Sequence, residues 1–152
     1  MAKSRNQLVD EMLDREAIRD LAIRYCDYIW RDEISQVIDT FTPDGAFISA
    51  PPPGVDAPAQ EAKGKEEVLR VLGGGITGLK PRPYIHNHVI ELLGNGRARG
   101  RVYVELRSPA VQMEWIGTGY YEDEYLKVAG DWKFQSRTVR MLRFAPPAPP
   151  PR

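Results

Sequence analysis

A chain of 152 residues is long enough for one domain with a real core. Its 21 basic and 21 acidic residues cancel, so no overall field draws it to nucleic acid or to an anionic membrane. No apolar run approaches the roughly 20 residues that cross a bilayer, and the single cysteine, Cys26, excludes an internal disulfide and has no metal-ligand spacing around it.

The opening Met-Ala-Lys-Ser-Arg-Asn-Gln has no apolar stretch behind its charges. No secretory signal is therefore expected, and a cytoplasmic protein is. Ile18, Leu21, Ala22, Tyr25 and Ile29 then recur with the spacing of one helix face. A second, shorter helix is predicted over residues 35–41, stopped by the turn chemistry of Thr42-Pro-Asp-Gly45. A strand starts over residues 46–49, and residues 51–60 read as an irregular, proline-rich loop. Residues 64–72 predict a third helix, ended by Gly73, Gly74 and Gly75.

The rest of the chain reads as sheet. A strand over residues 84–92 meets Gly94-Asn-Gly96, a hairpin signal, and residues 97–106 answer it in alternation. Residues 111–128 suit one bent strand with Gly117 and Gly119 at bends. Ala129-Gly-Asp131 turns the chain into a last strand over residues 132–144. Helices first and strands last give an α+β class, with helices on one face of a mostly antiparallel sheet. The expected organisation is one domain over residues 1–144 and a flexible proline-rich tail over 145–152.

Several segments, in order, carry a resemblance. They are residues 16–21 with Tyr25, then residues 41–47, His88-Val-Ile-Glu91, Gly100-Arg-Val-Tyr103, residues 119–125 and Gly130-Asp-Trp-Lys-Phe134. From about residue 15 to 144 the chain resembles the SnoaL-like branch of the NTF2-like superfamily. The resemblance implies a cone in which three N-terminal helices close a strongly curved sheet around an apolar pocket. It also implies a homodimer or higher homo-oligomer through the outer sheet face. The family holds dehydratases, a dehydrochlorinase, cyclases and cofactor-free lyases, together with non-catalytic binding and assembly modules, so the fold alone does not choose a function.

In the family's dehydratases an Asp-His pair works with Tyr and Arg: histidine moves the proton, the carboxylate orients it, and a phenol or guanidinium stabilises charge. By resemblance Tyr25 matches the helix tyrosine, and Arg140 matches an arginine of the last strand. Trp30 stands where the catalytic aspartate would be. The family's histidine position falls near Pro83, whereas the histidines here are His86 and His88.

Each of these residues has a plainer alternative. Tyr25 lies on the apolar stripe and is either a pocket phenol or a core tyrosine with one satisfied hydrogen bond. His86 and His88 would share one face of a regular strand, with Asn87 on the other, and a bulge would reverse that phase. Their imidazoles suit proton transfer, and no third ligand at metal-binding spacing accompanies them. Tyr121 and Asp123 share a phase with Gly117 and Gly119, which the resemblance implies is the inward one; Asp123 could pair with Arg140 or Arg137 as a purely structural link. Tyr125 reads as ordinary aromatic packing. Arg140 either binds an anionic oxygen or is a paired surface arginine. Trp30 makes the pocket more apolar and suits a flat aromatic substrate.

These readings give a cofactor-independent lyase, dehydratase or isomerase acting on a small hydrophobic, ring-containing substrate, with loss of water or formaldehyde. Its catalytic set is Tyr25, His86, His88 and Arg140, its substrate-binding set Trp30, Asn87, Tyr121 and Asp123, and no metal is assigned. The alternative is a non-catalytic small-molecule-binding or assembly module with a degenerate site.

Overall fold

The computed structural model describes residues 1–74, 78–148 and 151. Gly75 and part of the proline tail fall outside that set, so the expected glycine stop is described only through Gly74. Helix α1 (Arg5–Trp30) opens with a capping box, in which Gln7 N donates to Ser4 Oγ at 3.2 Å and Ser4 N to Gln7 Oε1 at 2.8 Å. It buries Ile18, Leu21, Ala22, Tyr25 and Cys26; of the predicted stripe only Ile29 stays partly exposed, and Cys26 is added. The helix stops where Asp32 takes a left-handed φ of 56°. No helix among the described residues is long and apolar enough to cross a membrane.

Helix α2 (Ile34–Asp39) leads into β1 (Phe41–Ala50). The expected turn at residues 42–45 is instead a kink inside that strand, where its pairing with the last strand slips between Phe41 and Ala46. Strand β2 (Gln60–Lys63) continues the loop read as irregular, and α3 (Lys65–Gly74) follows Gly64 at φ +84°. Strands β3 (Arg82–Gly94) and β4 (Arg97–Ser108) are joined by Asn95 and Gly96, both left-handed, as the favoured two-residue hairpin turn requires. Before β5 (Glu114–Val128) the chain makes a short 3-10 turn at Pro109–Val111 and two left-handed residues, Gln112 and Met113. That strand therefore starts three residues later than expected. Ala129 and Gly130 make the same kind of turn into β6 (Asp131–Phe144).

The six strands form one mixed sheet in the order β2-β1-β6-β5-β4-β3. The β1–β6 pair is parallel and the other neighbours are antiparallel. The sheet is open, with β2 and β3 at its edges, rather than the strongly curled cone that the resemblance implies. Its inner face carries two apolar clusters. One lies under the helices and includes Ile18, Leu21, Tyr25, Val37, Phe41, Tyr125 and Phe134. The other runs along the inner face of β4 and β5, with Val102, Val104, Leu106, Ile116 and Tyr121. Ile85 packs against both.

Two bulges decide which side chains meet these clusters. In β3 the pairing with β4 slips between Ile85 and His88. In β6 the pairing with β5 slips between Phe134 and Ser136. Because side chains alternate with a period of two, each extra residue reverses the face of everything beyond it.

Candidate functional site

Where the two apolar clusters meet, four charged and polar side chains form a chain of contacts. Asp123 of β5 stands beside Arg137 of β6 in the antiparallel register. Arg137 Nε donates to Asp123 Oδ1 and Nη2 to Oδ2, both at 2.8 Å, and neither side chain has any exposed surface. The Tyr125 hydroxyl donates to Asp123 Oδ2 at 2.9 Å. Nε2 of His88 lies 2.9 Å from the same phenolic oxygen. His88 is half-buried, so the chain runs from a fully enclosed ion pair to a partly accessible imidazole.

The guanidinium is also held by rings. Its central carbon lies 4.4 Å from the Tyr25 centroid, 4.0 Å from Tyr121 and 4.3 Å from Phe134. Such contacts contribute about 0.5–2 kcal/mol each. Arg137 Nη1 is buried without a hydrogen-bond partner among the described residues. Moving two ions out of water costs several kcal/mol apiece, and good geometry only repays it. A site this expensive, with one guanidinium nitrogen unpartnered, is a candidate for function rather than for stability.

Burial sets the protonation states. Desolvation pushes the His88 imidazole down to about 4, with the charge of Asp123 opposing and Arg137 and Arg19 reinforcing the fall. His88 is thus neutral at neutral pH. Desolvation raises the phenols of Tyr25, Tyr121 and Tyr125, keeping them protonated, and Arg137 stays charged because Asp123 outweighs its own desolvation. The Cys26 thiol, buried near the same pair, is pushed up to about 11 by desolvation and is no nucleophile.

The predicted residues divide between the two faces. Tyr25, His88, Tyr121 and Asp123 come together on the inner side. His86 does not: the bulge turns it outward, exposed, with Nε2 2.9 Å from Glu105 Oε2. Asn87, in the same bulge, is also exposed. Arg140 takes its plainer reading, a paired arginine at the surface, and the placement in the site is corrected. The β6 bulge places it on the outer face, where Nε donates to Glu122 at 2.6 Å and Nη1 to Pro51 O at 2.8 Å; the inner arginine is Arg137. Trp30 ties the end of α1 to the start of β3, its indole donating to Pro83 O at 2.8 Å and meeting Tyr84 edge-on at 5.1 Å.

Three contributors were not assigned from sequence: Arg137 as the inner cation, Tyr125 as a polar link, and Gly100. A signal existed for Tyr125, since Tyr121, Asp123 and Tyr125 stand two apart and flank an acid. A cleft of about 590 Å³ lies on the outer sheet face, bordered by Val89, Arg101, Tyr103, Glu122 and Arg140, and one of about 330 Å³ is bordered by Arg97, Arg99, Glu124 and Tyr125.

Residues 10–138 match the family model described as the SnoaL-like domain. Among solved structures, LinA is 20% identical and superposes with a TM-score of 0.75 over 92% of this chain and 93% of its own. An NTF2-like protein with a cystatin-like fold from Novosphingobium aromaticivorans is 16% identical, with a TM-score of 0.73 over 93% of this chain and 92% of that one. A candidate scytalone dehydratase from the same organism is 22% identical, with a TM-score of 0.69 and coverages of 90% and 94%. These likenesses establish the NTF2-like fold. No curated protein matches the chain significantly.

Proposed function

The chain belongs to the SnoaL-like domain family, and from that premise we propose that it is a cofactor-independent lyase, dehydratase or isomerase for a small hydrophobic, ring-containing substrate. The observation that carries this reading is the neutral, half-buried His88 wired through Tyr125 to the buried Asp123–Arg137 pair. A neutral imidazole backed by a carboxylate accepts a proton and is stabilised as it becomes charged. In a dehydration the C–H proton moves to His88, and its electron pair forms the new double bond as the C–O bond breaks. His88 then returns the proton to the departing hydroxide, so water leaves and no co-reactant is consumed. Arg137, enclosed against the rings of Tyr25 and Tyr121, acts on a developing negative charge through its field rather than by contact. The similarity to a candidate scytalone dehydratase lends support to loss of water as the reaction class.

The test is product formation. Chelator-treated protein is incubated with hydroxylated biaryl, polyketide-like and steroid-like compounds, and products are read by mass spectrometry. A mass loss of water or formaldehyde that disappears in His88→Gln supports the proposal; ligands that bind and stay intact contradict it. That second outcome is the one expected of a non-catalytic binding module, a reading favoured by the larger cleft, which lies on the outer face and is not bordered by His88. Binding there would be unchanged in His88→Gln.

A further inference from the structure

We infer that Tyr125 is a positioning residue that holds the His88 ring as its Nε2–H tautomer, making Nδ1 the nitrogen that receives the substrate proton. The consequence for turnover rests on the catalytic reading of His88 above; the tautomer itself rests on hydrogen-bond geometry, with burial keeping the ring neutral.

Asp123 accepts an N–H group from Arg137 on each of its oxygens, at 2.8 Å, inside a site with no exposed side-chain surface. That arrangement fixes it as a carboxylate, which can only accept. The 2.9 Å contact between Tyr125 Oη and Asp123 Oδ2 therefore uses the phenol's proton. A phenol has one proton to give. Toward His88 Nε2, also 2.9 Å away, the same oxygen can only accept. Nε2 must then carry the ring hydrogen. In the opposite tautomer one phenolic proton would face two acceptors, and one of the two short contacts would lack a hydrogen.

His88 is neutral near pH 7, so the ring has a single N–H group and Nδ1 keeps its lone pair. Among the described residues Nδ1 makes no hydrogen bond, and it is free to accept. Tyr125 does not pass its own proton on, because burial and the neighbouring Asp123 charge hold the phenol far above its ordinary range. It transmits orientation and polarisation instead. The arrangement puts a phenol between imidazole and carboxylate, where a direct His-Asp contact would otherwise do the same work. It is possible because Gly100, opposite Asp123, has no side chain to occupy the phenol's place.

The experiment is nitrogen NMR of ring-labelled histidine in a His86→Asn background, which leaves one imidazole. At neutral pH we expect the pattern of a protonated Nε2 and a bare Nδ1. In Tyr125→Phe that preference should be lost, with both ring shifts moving toward tautomer-averaged values. For a substrate that the parent converts, kcat should fall about 10- to 100-fold with KM little changed. A protonated Nδ1 in the parent would overturn the inference, and the parent spectrum suffices even where the variant is unstable. Ring shifts unchanged in a folded Tyr125→Phe would also overturn it. The shifts are read without substrate. An Nε2–H ring in a protein that converts nothing would sustain the tautomer while removing the catalytic reading.

Discussion

The bare α-carbon of Gly100 stands against the phenol of Tyr125. A methyl group at that position would lie 3.1 Å from both Oη and Cε2 of the ring, and 2.8 Å from the carbonyl oxygen of Val89. The ring could swing away only by leaving His88 or Asp123, and the Val89 backbone cannot give without disturbing the β3–β4 ladder.

Gly100→Ala is therefore expected to lower stability by about 1–3 kcal/mol, the common cost of overpacking a filled interior. It should also break the His88–Tyr125 contact. Urea denaturation reads the first effect and the His88 ring shifts the second. An alanine variant with unchanged stability and unchanged shifts would mean that the phenol is not confined as described.

The Asp123–Arg137 pair makes a contrast between single and double variants. Arg137→Met leaves a buried carboxylate without its counter-ion and should cost about 3–5 kcal/mol. Asp123→Leu leaves an unpaired guanidinium and should cost a similar amount. The double variant should recover much of the loss, because neither charge is then stranded. A double-mutant cycle by chemical denaturation gives the coupling. Additive losses would contradict the view that the two residues act as one unit.

His88 gives a dependence on pH whose sign is fixed. Unfolded, the imidazole titrates near its ordinary 6.5; folded, burial holds it down to about 4, against Asp123 and together with Arg137 and Arg19. Between those values the unfolded chain binds a proton that the folded protein does not. The His88 contribution to stability is thus undiminished above about pH 6.5, declines as pH falls toward 4, and levels off below it. Parent protein and His88→Gln should diverge over that window when stability is followed against pH. Parallel curves would show that His88 is not held neutral by burial.

The order of helices and strands was legible because each boundary has local chemistry: the helical stripe from Ile18 to Tyr25, the Gly94–Gly96 hairpin, and the Ala129–Gly130 turn. The faces of two strands were not. A period of two keeps His86 and His88 together, and the resemblance points to Arg140 in the last strand. One extra residue in each strand separates the histidines and leaves Arg137, not Arg140, as the inner arginine. No residue type at Asn87 or Gln135 announces a bulge. The role of Gly100 depends on a phenol two strand positions from its partner, a relation that exists only once β4 and β5 are paired.

The most direct measurement compares two histidine variants on one converted substrate. His88→Gln should lower kcat/KM by about 100-fold or more, whereas His86→Asn, altering an exposed ring on the outer face beside Glu105, should leave it within about twofold of the parent. Equal losses in the two variants, or full turnover without His88, would contradict the account that His88, oriented through Tyr125 by Asp123, takes the substrate proton.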